Sequence, residues 1–172
     1  MTGTVHTLAE SGSMHRNSRN EPAARKRRLL LPINACEESR WGLNYARQLH
    51  ESGTPVEAIL LNVGEPVTQW QVLRFRTQQE IAEFQSARAQ TFIDDASEQF
   101  QGVGIPWRGV YRQGEVVFSI LDAAEELDCD EVVMPSHDSC LSNIFCRPTA
   151  AEVRRQQRHV PVVMVDSRGT PR

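Results

Sequence analysis

The sequence predicts an α/β domain, an open parallel sheet with helices on both faces. Three observations carry that prediction. Short apolar runs of four to eight residues recur (LLLPIN, VEAILLNV, EVVM and HVPVVMV), as strands buried on both faces require. Longer stretches with apolar residues at three-and-four spacing lie between them, the mark of helices with one buried stripe. The two patterns alternate along the chain, which implies right-handed crossovers between parallel strands.

The elements follow in order. Leu29–Asn34 is the first strand, and Ser39–Ser52 a helix with Trp41, Tyr45 and Leu49 four apart, stopped by Gly53. Val56–Val63 is the second strand. A long helix is expected from near Leu73 to Phe100, with Ile81, Phe84, Phe92, Ala96 and Phe100 as its stripe, ended by Gly102 and Gly104. Ile105–Tyr111 is the third strand. The next helix opens after Gly114 and carries Val117, Ile120, Leu121, Ala124 and Leu127. Glu131–Met134 is the fourth strand, Thr149 to about Arg158 the last helix, and His159–Val165 the fifth strand.

The 172 residues fit one domain, at 29–167, between two tails, 1–28 and 168–172. Residues 1–28 are rich in Ser, Asn and Arg, without apolar periodicity, and carry six basic residues against two acids. Such a segment buries too little apolar surface to offset its ordering entropy, so a disordered basic tail is expected. The overall formal charge of −3 gives no reason to expect a nucleic-acid partner. No apolar run approaches the roughly 20 residues that span a bilayer, so no membrane association is expected and the chain reads as soluble and intracellular. The four cysteines do not make a disulfide scaffold and in a cytosolic setting should rest as thiols.

Local chemistry does not indicate an enzyme. The first strand is followed by ACEES, not by a G-x-G-x-x-G turn. There is no G-x-x-x-x-G-K-[ST] phosphate loop, no Gly-x-Ser-x-Gly elbow, and no strong metal-ligand pair; no metal site is assigned.

RRLLLPINACEESRWGLNYARQL, GEVVFSILDAAEELDCDEVVMPSHD and TAAEVRRQQRHVPVVMV together resemble the universal stress protein family over Leu29 to Asp166. The resemblance implies an open five-stranded parallel sheet of order 3-2-1-4-5, of the adenine nucleotide alpha hydrolase-like type. It further implies a cytoplasmic homodimer and a regulatory or interaction role in stress physiology, exerted on an unknown protein partner without catalysis. Dimerisation is expected through the last strand, at Val160, Val162, Val163, Met164 and Val165, because an uncovered apolar edge is a liability.

Many members of the family bind ATP through Gly, two residues, Gly, nine residues, Gly, then Ser or Thr. Here the matching positions are Pro135, Asp138, Pro148 and Thr149: the spacing and Thr149 survive, the three glycines do not. Asn34 stands where nucleotide-binding members carry an Asp near adenine. Prolines supply no N–H to a phosphate. A carboxylate at Asp138, ~5 Å from a phosphate at an effective dielectric of ~20, would repel it by roughly 3 kcal/mol. The expected site is thus a vestigial pocket at Pro32, Asn34, Val63, Ser136, His137, Asp138 and Thr149, with no cofactor beyond weak ATP or AMP. Thr149 to Glu152 (TAAE) has a simpler reading as a capping box that starts the last helix.

A second reading concerns sulfur. Neighbouring first and fourth strands would bring the loop with Cys36 beside the loop with His137 and Cys140, with Cys146 beyond. That crevice is either packing alone, a redox-responsive thiol pair, or a soft-metal site. Cys129, at the other end of the sheet, should not join it.

Overall fold

A computed structural model describes residues 25–65, 77–136 and 147–172. The strands are β1 (Arg27–Pro32), β2 (Val56–Gly64), β3 (Trp107–Gln113), β4 (Glu131–Pro135) and β5 (Val162–Val165). Between them run α1 (Trp41–Glu51), α2 (Gln78–Ser97), α3 (Val116–Glu126) and α4 (Arg147–Arg155). The strands form one parallel sheet of order β3-β2-β1-β4-β5.

Alternation along the strands divides the core in two. Leu29, Leu31, Ala58, Leu60 and Val133 point to the face covered by α1 and α2, where they meet Leu43, Ala46, Ile93 and Ala96. Leu30, Ile59, Leu61, Val132 and Met134 point to the other face, against Ile120, Leu121 and Ala124 of α3 and Ala150 and Val153 of α4. Both faces of the central strands are therefore dry, which is why they read as unbroken apolar runs.

Several boundaries differ from the sequence reading. β1 starts at Arg27, not Leu29: the Arg27 amide donates to the Pro55 carbonyl at 2.7 Å. Arg25 pairs with Asp130, Arg27 with Glu131, and Arg28 with Glu57. The last residues of the basic segment are thus held by acids at the amino edge of the sheet, whereas residues 1–24 lie outside the described residues. The long helix α2 starts at Gln78, because Thr77 and Glu80 form a capping box there. Its buried residues include Ile81, Ala89, Ile93 and Ala96, so the stripe rotates away from Phe84, which is 68% exposed.

At the third strand, Ile105 is buried in the loop ahead of β3 and Trp107 opens the strand. α3 opens with Glu115 as its cap, the carboxylate accepting from the amides of Val117 and Phe118.

The last helix and strand also shift. α4 begins at Arg147, so Thr149 sits within its first turn and is not its cap. Glu152 does not close a box with Thr149; its carboxylate accepts instead from Arg155 and Gln156, one turn onward. β5 is only Val162–Val165, since Val160 is drawn into the core beneath α3 and α4 and Pro161 precedes the strand. The segment expected as a free tail at 168–172 folds back on the domain: Arg172 donates its amide to the Met164 carbonyl at 2.9 Å, and Gly169 is buried.

Candidate functional site

Strand order reverses between β1 and β4, and at such a switch point the loops leaving the two carboxyl ends diverge and open a crevice. A cavity of about 430 Å³ lies there, within the usual range for small-molecule sites. Its described lining comes from the ends of β1, β2 and β4, from the first turn of α4, from the start of α3, and from the side of α2.

Of the residues expected at the site, Pro32, Asn34, Val63 and Thr149 surround the cavity, together with Pro135 and Cys36. Ser136 does not line it: the residue is buried, and its amide donates to the Val165 carbonyl at 2.7 Å. A donor that could have faced a ligand is thereby committed to β5. His137, Asp138, Cys140 and Cys146 lie outside the described residues.

The polar groups at the mouth of β1 are occupied with one another. Asn34 Oδ1 accepts from the Cys36 amide at 2.8 Å, a side-chain turn typical of Asn and Asp. The Asn34 amide donates to Ser39 Oγ at 3.2 Å, and that hydroxyl donates to the Cys36 carbonyl at 2.7 Å. On β2, Asn62 is buried and its Nδ2 donates to the Ile33 carbonyl at 2.7 Å, fastening the two strand ends together. Asn34, in the place of the usual Asp, serves its own turn.

The sequence reading missed the contribution of α2. Gln85, Arg88, Ala89 and Phe92 form one wall of the cavity, and the Arg88 guanidinium lies 5.3 Å above the Phe92 ring. Charged lining residues are Glu38, Glu65 and Arg88, so the described wall offers a single cation. The floor at β2 is tight. A Cβ at Gly64 would stand 2.4 Å from Tyr111 Oη. That hydroxyl is itself buried without a hydrogen-bond partner among the described residues, and burial raises its pKa.

Cys129 lies apart from the crevice as expected, but the expectation that the cysteines rest as thiols fails at Cys36. Cys129 is buried in the core under α3, free, and its thiol is pushed up to about 11 by burial. Cys36, at the crevice, is disulfide-bonded. Among the described residues there is no group of three His, Cys, Asp or Glu able to hold a metal, and no helix long and apolar enough to cross a membrane.

A five-stranded parallel sheet of this order with a crevice at its switch point defines a class of α/β proteins. The model of the universal stress protein family matches residues 26–166, and the chain belongs to that family. No curated protein matches the chain by sequence. Among solved structures, the chain resembles the hypothetical protein MJ0577 at 19% identity and TM-score 0.66, over 81% of this chain and 95% of that one. It resembles a universal stress protein in complex with cAMP at 16% identity and TM-score 0.56, over 83% and 98% of the two chains. A family protein from Arabidopsis thaliana with AMP bound aligns at 8% identity and TM-score 0.54, over 81% and 90%.

Proposed function

We propose that the chain is a cytoplasmic, non-catalytic stress-response module whose crevice takes an adenine nucleoside or monophosphate weakly and does not cradle a triphosphate. It acts by contact with a second copy and with a protein partner. The observation that carries this reading is a ligand-sized cavity where several of the described polar groups are already paired within the fold. Asn34, Ser39 and Asn62 are paired within the fold, the Ser136 amide serves β5, and Pro135 has no amide hydrogen. Phosphates need several convergent N–H donors, whereas a nucleoside needs an apolar slot with a few polar contacts. The similar structures that carry cAMP and AMP support an adenine ligand for this chain.

Calorimetric titration tests the proposal. AMP and ATP are each expected to bind with affinities in the high-micromolar to millimolar range, on the order of −4 to −6 kcal/mol. ATP is expected to gain little from its two further phosphates. Sub-micromolar ATP binding without metal would overturn the reading. A Mg²⁺-dependent affinity that disappears in Asp138→Ala would mean a rebuilt site with a bridging cation.

One observation favours a second reading, that the crevice senses redox state. Cys36, which lines the crevice, is disulfide-bonded, whereas Cys129 is free and buried elsewhere. In this reading an oxidant converts two thiols to the disulfide, with loss of two electrons and two protons. Binding of AMP would then differ between oxidised and reduced protein; equal affinities in the two states would exclude it.

A further inference from the structure

We propose that residues 167–172 form a removable cover on the outer edge of β5, which keeps that edge closed to pairing with a second copy of this chain. The inference rests on the reading that two copies pair at this strand, and it adds what controls the pairing.

Strand β5 pairs with β4 on one side only, so its other edge would present unsatisfied backbone groups. Three of those groups are occupied from within the chain. Val165 and Pro171 form an antiparallel bridge, flanked by the Arg172 amide on the Met164 carbonyl at 2.9 Å and the Asp166 amide on the Thr170 carbonyl at 3.0 Å. At the start of the strand, the outward Val162 amide is taken by Gln157 Oε1 at 3.3 Å. Pro171 suits this position because its bridge partner requires no donor from it.

The fold-back is built. Asp166 Oδ1 accepts from the amides of Arg168 and Thr170 at 2.9 and 3.0 Å, closing a tight loop. Gly169 turns that loop at φ +80°, and its backbone lies flat on α1: an added Cβ would be 2.4 Å from the Tyr45 amide nitrogen and 2.6 Å from the Asn44 carbonyl carbon. Both obstacles are backbone, and the φ itself disfavours any other residue. Asn44 Nδ2 clasps the Ser167 carbonyl at 3.0 Å. The hold is also short. Two ladder bonds, the Asp166 loop, the Asn44 and Gln48 side chains on the Ser167 and Arg168 carbonyls, and the Arg172–Asp166 ion pair secure the segment, and every residue from 167 to 172 except Gly169 is exposed. Antiparallel pairing by a second β5 would need the same Met164 and Asp166 groups, so cover and partner exclude one another.

The test compares self-association, by analytical ultracentrifugation across 1–100 µM (roughly the range where weak dimers resolve), for four proteins. These are the full chain, the chain lacking 167–172, the full chain with Gly169→Val, and the deletion with Val162→Pro. Val162→Pro removes an outward donor while leaving the β4 ladder intact, so the fold should persist; far-ultraviolet circular dichroism checks each variant. Deletion and Gly169→Val are each expected to tighten dimerisation at least tenfold, and Val162→Pro to reverse the gain. A full chain that already dimerises as tightly as the deletion would overturn the cover and leave pairing at β5 standing. Absence of association in all four proteins would overturn both.

Discussion

The Tyr45 hydroxyl of α1 donates to the Glu131 carboxylate at 2.9 Å, and Arg27 pairs with the other oxygen of the same carboxylate. Glu131 opens β4 and is 6% exposed, so the fold buries a charge at the amino edge of the sheet and surrounds it with donors. Tyr45→Phe should cost about 1.5–3 kcal/mol in urea unfolding at neutral pH, the range for a lost hydrogen bond to a buried charged group. The same pair fixes an alkaline limit. Burial, then the Glu131 contact, raises the Tyr45 pKa from 10.0 to about 12. A raised folded-state value holds the proton more tightly in the native state. This contribution is therefore complete below pH 10 and disappears as pH climbs towards 12. Wild type should lose stability across that window more steeply than Tyr45→Phe; parallel curves would show that the hydroxyl is not responsible.

Thiol chemistry should divide the cysteines. In protein purified without reductant, two of the four are expected to react with a thiol reagent after denaturation, and all four after reduction. Cys129 should be silent in the native state at pH 8, because burial both shields it and suppresses its thiolate. Rapid native alkylation at Cys129, read by peptide mass, would contradict its place in the core.

Gly64 and Tyr111 should be energetically coupled. Gly64→Ala is expected to destabilise by about 1–3 kcal/mol through the clash with Tyr111 Oη. Tyr111→Phe alone should be neutral or mildly stabilising, since it removes a buried hydroxyl without a partner among the described residues. The double variant should recover most of the loss. Strict additivity in the thermodynamic cycle would show that the two residues do not meet.

Glu115 offers a simpler case. Its carboxylate caps two amides at the start of α3, and Glu115→Ala should cost about 0.5–2 kcal/mol, measured by thermal unfolding.

The sheet was legible because burial on both faces writes itself as runs such as LLL and AILL, and its strand order followed from the family resemblance. The ends of elements were harder, because the same short signature occurs at more than one place. TAAE at Thr149 and TQQE at Thr77 both spell a capping box, yet only the second closes one. At Glu152, Arg155 and Gln156 draw the carboxylate forward and hold its pKa down to about 2. The cavity was legible at the strand ends, where Pro32, Asn34 and Val63 were identified, and at Thr149 in the first turn of α4. Its α2 wall was not, because a helix that turns one flank to the core and the next to a crevice shows the same apolar spacing for both. Phe92 read as core and is shared between the two. The fold-back at Gly169 had no local signal, as its cause is the backbone of α1 more than a hundred residues earlier.

The Arg–acid pairs of Arg25, Arg27 and Arg28 gather at the amino end of the strands, and the crevice opens at the carboxyl end. Mutational tolerance should therefore be unequal along the same strands. A library randomised at Asn34, Val63, Gln85 and Arg88 should retain mostly folded members, whereas one randomised at Arg27, Tyr45 and Glu131 should not. A lineage built this way can exchange one ligand for another, or abandon ligands altogether, without first having to reinvent its scaffold.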